Sequence, residues 1–139
     1  MTAHLLDGKE LAKTYSRRLA DEVSELKAQG VNPCVVSIHV AGDDASGFYV
    51  RTQAKQASKI GIDFELLELA MDCSPEKLGD VIRSHNGNPA TTGIILQVPL
   101  PPHLDDHHFQ RMIAPHKDIE GVHPENLGTL LHRGDEFVP

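Results

Sequence analysis

The run Gly93-Ile94-Ile95-Leu96-Gln97-Val98, followed by Pro99-Leu100-Pro101-Pro102, limits the fold of this chain more than any other stretch. Six residues without a charge read as a buried strand, and the Pro-rich elbow ends it. Gln97 is thereby set at the strand's exit, the place where open α/β sheets take up ligands. A polar amide there must find partners or bear a desolvation cost, so it either faces a ligand or satisfies a turn.

The rest of the chain supplies the companions such a strand needs. Asp7-Gly8-Lys9-Glu10 has capping-box spacing, and Leu11, Tyr15, Leu19, Val23 and Leu26 recur at helical intervals until Gly30. Pro33 to Val40 is β-rich. The turn Ala41-Gly42-Asp43-Asp44 leads to Ser46, read as the cap of a helix that carries Val50, Ala54, Ala57 and Ile60 and stops at Gly61. Ile62 to Leu69 is again strand-like. Ser74-Pro75 opens a helix with Leu78, Val81 and Ile82 that breaks between Gly87 and Pro89. Asp105 or Asp106 opens a short helix through Phe109, Met112 and Ile113, ahead of Pro115. Strands alternating with helices predict an α/β fold, a three-layer domain with a mostly parallel sheet flanked by helices.

With 139 residues there is enough chain for one core and too little for two domains. A net charge of -7 argues against nucleic acid or an anionic membrane surface as partner, and favours a small molecule. The N-terminus has no signal or transit character, and no apolar run approaches membrane-spanning length. Cys34 and Cys73 lack metal or CxxC spacing and read as reduced thiols in cytoplasm. No Gly-rich phosphate fingerprint follows any strand, so a nucleotide cofactor must be held elsewhere.

Several side chains are placed for chemistry. Tyr49 and Gln53 share a helix face with Ser46, whereas Lys55 stands off that face and does not replace Gln53. Tyr49 beside Gln97 would hold a flat heteroaromatic ring, or else lies across the sheet edge. Asp118 and Glu120 flank Ile119. In an extended segment they point the same way and would line one pocket wall, or else belong to a solvated acidic loop. His103, His107, His108, His116 and His123 raise the idea of a metal site. However, His103 directly follows Pro102, and no Glu lies between the His103/His107 pair, so a solvated surface is the better reading.

These motifs, in this order, resemble the N-terminal catalytic domain of the bifunctional methylenetetrahydrofolate dehydrogenase/cyclohydrolase family. The resemblance runs through Leu6-Asp7-Gly8-Lys9, Val40 to Asp44, Ser46 to Val50, Gly61-Ile62, Gln97 to Pro101, Lys117-Asp118, Gly121, and His123 to Gly128. It implies that residues 1–139 form one tetrahydrofolate dehydrogenase/cyclohydrolase catalytic domain, with the NAD(P)-binding domain absent from this chain. The substrate implied is a tetrahydrofolate derivative whose methylene, methenyl and formyl forms are interconverted in the cleft between the two domains. NADP or NAD would come only with the second domain. By the same resemblance Tyr49 stacks on the folate, Gln97 supports the catalytic group, and Glu120 grips the pterin. The Leu100-to-Pro102 elbow shapes the pocket, with a cis proline expected there. The implied catalytic set is Tyr49, Gln53 and Gln97. The implied substrate-binding set is Tyr49, Gln97, Val98, Pro99, Asp118 and Glu120, with no metal or cofactor ligand.

The chain departs from the family in three ways. The family has a catalytic lysine where this chain has Gln53, and an amide cannot shuttle a proton, so hydrolysis of the methenyl bridge is expected to be impaired. Hydride transfer depends more on alignment and is expected to suffer less. Glu120 stands for an aspartate and carries the charge one methylene further out. The third departure is length: either a piece of a longer enzyme or a stand-alone paralogue is expected. A piece would expose the apolar seat of a returning helix and self-associate, with a homodimer among the arrangements open to it. The alternative function is a non-catalytic folate- or partner-binding module.

Overall fold

The computed structural model describes residues 7–41 and 44–133. Leu6 and the Gly42-Asp43 turn lie outside the described residues. The order is α1 (Gly8–Ala28), β1 (Cys34–Val40), α2 (Asp44–Ile60), β2 (Asp63–Leu69), α3 (Pro75–Gly87), β3 (Gly93–Leu96), α4 (Asp106–Gln110), a 3-10 turn (Pro115–Lys117) and α5 (Pro124–Arg133). The described strands form one parallel sheet in the order β2-β1-β3, with Val35 of β1 facing Phe64 on one side and Gly93 on the other. The α/β architecture with a parallel, helix-flanked sheet is thus the one expected. Among the described residues no helix is long and apolar enough to cross a membrane.

Local chemistry sets the element ends. The Asp7 carboxylate accepts from the N–H groups of Lys9 and Glu10 at 3.0 and 3.1 Å and so caps α1. Ser74 accepts from the Lys77 N–H at 3.2 Å, with Pro75 in the first turn of α3. Asp105 accepts from the His108 N–H at 2.8 Å and caps α4. α2 ends where Gly61 takes φ +83°, a value that a side chain would resist, and Ile62 N–H returns to the Ala57 carbonyl.

The side chains of β1 alternate between two environments. Val36, Ile38 and Val40 join Ile94 and Leu96 in a core closed by Leu78 and Ile82 of α3, Leu104, Phe109 and Ile113. The intervening Ser37 and His39 are also buried, on the opposite face.

The structure differs from the sequence reading at several points. β3 stops at Leu96 rather than Val98, and the cis peptide bond is Val98–Pro99, one step ahead of the Leu100-to-Pro102 elbow. α2 already begins at Asp44, so Ser46 lies inside the helix rather than capping it. α4 closes at Gln110, leaving Met112 and Ile113 beyond it, although Ile113 still reaches the core. On α1 only Val23 of the periodic apolar row is buried, while Leu11, Tyr15, Leu19 and Leu26 remain exposed. A helix of 21 residues is about 31 Å long, against about 23 Å for the seven-residue strands. α1 packs against α2, and Val23 is its buried residue.

Gly93, the first residue of β3, has no room for a side chain: a Cβ there would lie 2.5 Å from Cγ2 of Ile119. Gly93→Ala should therefore destabilise the chain by about 1–3 kcal/mol through overpacking. Adding Ile119→Ala, which removes the clashing methyl, should return part of that loss in the same denaturant titration. An additive double variant would show that the two residues do not meet.

Candidate functional site

The strand order places a topological switch beside β1. The chain leaves β1 through α2 to β2 on one side, then crosses through α3 to β3 on the other. In a parallel sheet the crevice at such a switch, outside the carboxyl ends of the strands, is where ligands bind. Here that crevice lies between the ends of β1 and β3, where Gln97 stands.

Gln97 follows β3 directly and is buried, at 8% exposure. Its backbone N–H donates to the Ile38 carbonyl at 2.9 Å and carries the ladder one residue past the strand. Its side-chain Nε2 donates to Ser37 Oγ at 3.0 Å and to Gln53 Oε1 at 2.8 Å. Both amide hydrogens are thus spent on the protein, and the carbonyl oxygen is the group Gln97 can offer to a ligand. The half-buried Gln53 is the residue of α2 that reaches Gln97, while Lys55 is exposed. Tyr49 lies one turn earlier on α2 and is 59% exposed, an open ring beside the crevice.

The Lys117-to-Gly121 segment is not extended. Pro115–Lys117 form a 3-10 turn, Asp118 makes a single parallel bridge to Ile94, and Ile119-Glu120 turn away before Gly121 at φ +66°. The period-two reading that set Asp118 and Glu120 on one wall therefore fails. Asp118 is almost wholly buried. Its Oδ2 accepts from the His123 N–H at 2.8 Å and from Asn126 Nδ2 at 2.9 Å. Its Oδ1 is buried with no partner among the described residues. Asp118 thus ties the segment to the start of α5, while Glu120 stands exposed. Desolvation, and after it the charge of Asp118, pushes the Glu120 carboxyl pKa up.

Lys117 is buried, but its ammonium donates to the carbonyls of His85 and Asn88 at 2.8 and 2.7 Å, around the end of α3. It is a clamp, not a reagent. Val98 is exposed beside the crevice, and Pro99 completes the cis bond. His103 and His123 turn to the carbonyls of Cys73 and Arg111, and no metal-binding cluster of His, Cys, Asp or Glu forms among the described residues.

A groove of about 780 Å³ opens at the opposite, amino end of the sheet, bordered by Cys34, Asp63, Thr92 and Lys117. Several of its polar groups already serve the scaffold. Thr92 accepts from the Cys34 N–H, and Asp63 holds Lys27. Burial, with Glu65 and Asp63 behind it, pushes the Cys34 thiol pKa up and keeps it in its unreactive form.

Sequence reasoning missed Ser37, and it carried Asn126 within the His123-to-Gly128 motif without a role. A lone serine in the apolar run of β1 was the available signal for the first. For the second it was Pro124-Glu125, a proline at a first helical position with an acid behind it, which announces α5.

The model of the tetrahydrofolate dehydrogenase/cyclohydrolase catalytic domain matches residues 6–120. The bifunctional protein FolD of Bacillus subtilis is 40% identical over 139 residues, covering 100% of this chain and 49% of that protein. FolD of Brevibacillus brevis is likewise 40% identical, over 49% of its length. The bifunctional FolD methylenetetrahydrofolate dehydrogenase/cyclohydrolase of Campylobacter jejuni superposes with TM-score 0.89 at 32% identity, over 91% of this chain and 45% of that one. The Trypanosoma brucei enzyme, solved with NADP cofactor and inhibitor, gives 0.88 at 31% identity, over 98% and 47%. The chain spans about half the length of the curated relatives it matches.

Glu120 gives a test of the local electrostatics that needs no ligand. Because its pKa is raised on folding, the folded chain holds more protons than the unfolded one between the ordinary and the raised value. Its contribution therefore lowers stability as pH rises through that window. Glu120→Gln should accordingly raise Tm relative to the parent at neutral pH and match it below the ordinary carboxylate pKa. A Tm difference that does not change with pH would contradict the assignment.

Proposed function

Since the chain belongs to the tetrahydrofolate dehydrogenase/cyclohydrolase catalytic-domain family, we propose that the crevice between α2 and the exit of β3 binds a tetrahydrofolate derivative. The observation that carries this reading is the Gln97–Gln53 amide pair at the switch point. Tyr49 offers an exposed ring for stacking on the pterin or the adjoining aryl group. Val98 and Pro99 border the same crevice. Glu120, when ionised, accepts the paired N–H donors of an aminopyrimidine, and its raised pKa makes that grip weaken as pH falls. Asp118 holds the Glu120 turn in place from behind.

In the whole enzyme the folate's one-carbon bridge would face a nicotinamide carried by a separate domain, NADP or NAD. That cofactor would supply the hydride acceptor, and the work of this domain would be alignment of the folate against it. Opening the methenyl product needs a water made nucleophilic and a proton moved. Gln53 can orient a water by hydrogen bonds but cannot take its proton. We therefore assign this chain to the dehydrogenase half-reaction, with weak cyclohydrolase activity, in a cytoplasmic one-carbon pathway. The free cysteines Cys34 and Cys73 suit that compartment. The same neutral amide also favours a second reading, a folate-binding module that has given up turnover.

Calorimetric titration with a stable tetrahydrofolate analogue tests the pocket. The chain should show saturable binding, and Tyr49→Ala should abolish it. Glu120→Ala should weaken it by more than tenfold, about 1.4 kcal/mol. An unchanged dissociation constant would remove Glu120 from the site. Gln53→Lys should raise methenyl-tetrahydrofolate hydrolysis several-fold if Gln53 stands where the family has its lysine. Intact binding with no gain in hydrolysis would support the non-catalytic reading.

A further inference from the structure

We propose that Ser37 is a positioning residue of the ligand site, acting through Gln97; the inference rests on the folate reading above. Ser37 sits in the middle of β1 with 0% exposure, flanked by Val36 and Ile38. A hydroxyl buried there is costly unless it is paired. Its partner is the Gln97 amide, whose Nε2 lies 3.0 Å from Ser37 Oγ.

Backbone pairing makes this contact rigid. Ser37 stands opposite Ile95 and Ile38 opposite Leu96, so the next residue along, Gln97, comes alongside, tied by its N–H to the Ile38 carbonyl. The second hydrogen of the same nitrogen goes to Gln53. Two acceptors from different elements define the amide plane and leave the Gln97 carbonyl oxygen for the ligand. The two acceptors are unequal. Gln53 is long and half-buried and loses more rotamer freedom when held, whereas Ser37 is short, wholly buried and anchored in the central strand. The hydroxyl therefore sets the orientation, and Gln53 follows it.

Threonine and valine have nearly the same shape and differ in the hydroxyl, so comparing Ser37→Thr with Ser37→Val separates the hydrogen bond from the added bulk. Ser37→Ala, which adds none, repeats the loss should valine prevent folding. Each variant of the full chain is titrated with the stable tetrahydrofolate analogue, and its Gln97 side-chain amide signals are recorded by NMR without ligand. Threonine should bind within about twofold of the parent. Valine should bind about tenfold more weakly, with the amide signals moved toward those of a free glutamine. In a Gln97→Leu background the two should bind alike. Equal binding by the threonine and valine variants while the parent binds would overturn the inference, as would a tenfold difference that persists without Gln97. No binding by the parent would overturn the folate reading and this inference with it, an outcome recognisable because it precedes any variant.

Discussion

Everything in this fold is referred to β1, the strand paired along both edges. Its seven residues run beside β2, and four of them beside β3. Because side chains alternate along a strand, one register puts Val36, Ile38 and Val40 into the core and Ser37 and His39 onto the face toward α2. A slip of one residue would exchange the two sets, forcing a hydroxyl and an imidazole into the core and placing valines beside Gln97. Core stability and the shape of the candidate site are therefore set by the same ladder.

What the sequence disclosed was mostly local. The caps at Asp7, Ser74 and Asp105 need only a few adjacent residues, and each is formed. Gln97 was legible because an apolar run and a proline cluster bracket it. Gln53 was separable from Lys55 by helical spacing alone. Ser37 was not legible as the partner of Gln97, since the two are 60 residues apart and meet only through the order β2-β1-β3, which periodicity does not encode. Asp118 and Glu120 were misjudged because alternation holds only in extended chain. Pro115 starts a 3-10 turn there, and the Asp118 side chain is drawn inward by His123 and Asn126.

The candidate site is unusual in how it distributes charge. Lys117 is spent on two carbonyls, Lys55 is exposed, and the contact with Gln97 is made by an uncharged amide. The carboxylate proposed to face the ligand is Glu120, whose pKa is raised by partial desolvation and by the neighbouring Asp118. On the proposed reading, recognition rests on hydrogen-bond pattern and ring contact, with an amide rather than a lysine against Gln97. That balance fits the role proposed above, aligning a ligand for chemistry brought from elsewhere.

The thin cover over α1 bears on how the molecule comes apart. Among the described residues α1 is held by its packing against α2, by Val23, which lies 3.3 Å from the position a Cβ at Gly61 would take, and by the Lys27–Asp63 pair. Its own length, its Asp7 cap and the Arg18–Glu22 pair do the rest locally. Such a helix can melt at little expense to the sheet, and it should exchange its amide hydrogens before the strands do. Helix content followed by circular dichroism would then begin to fall while the core is still intact, and a single two-state transition would not describe the whole chain.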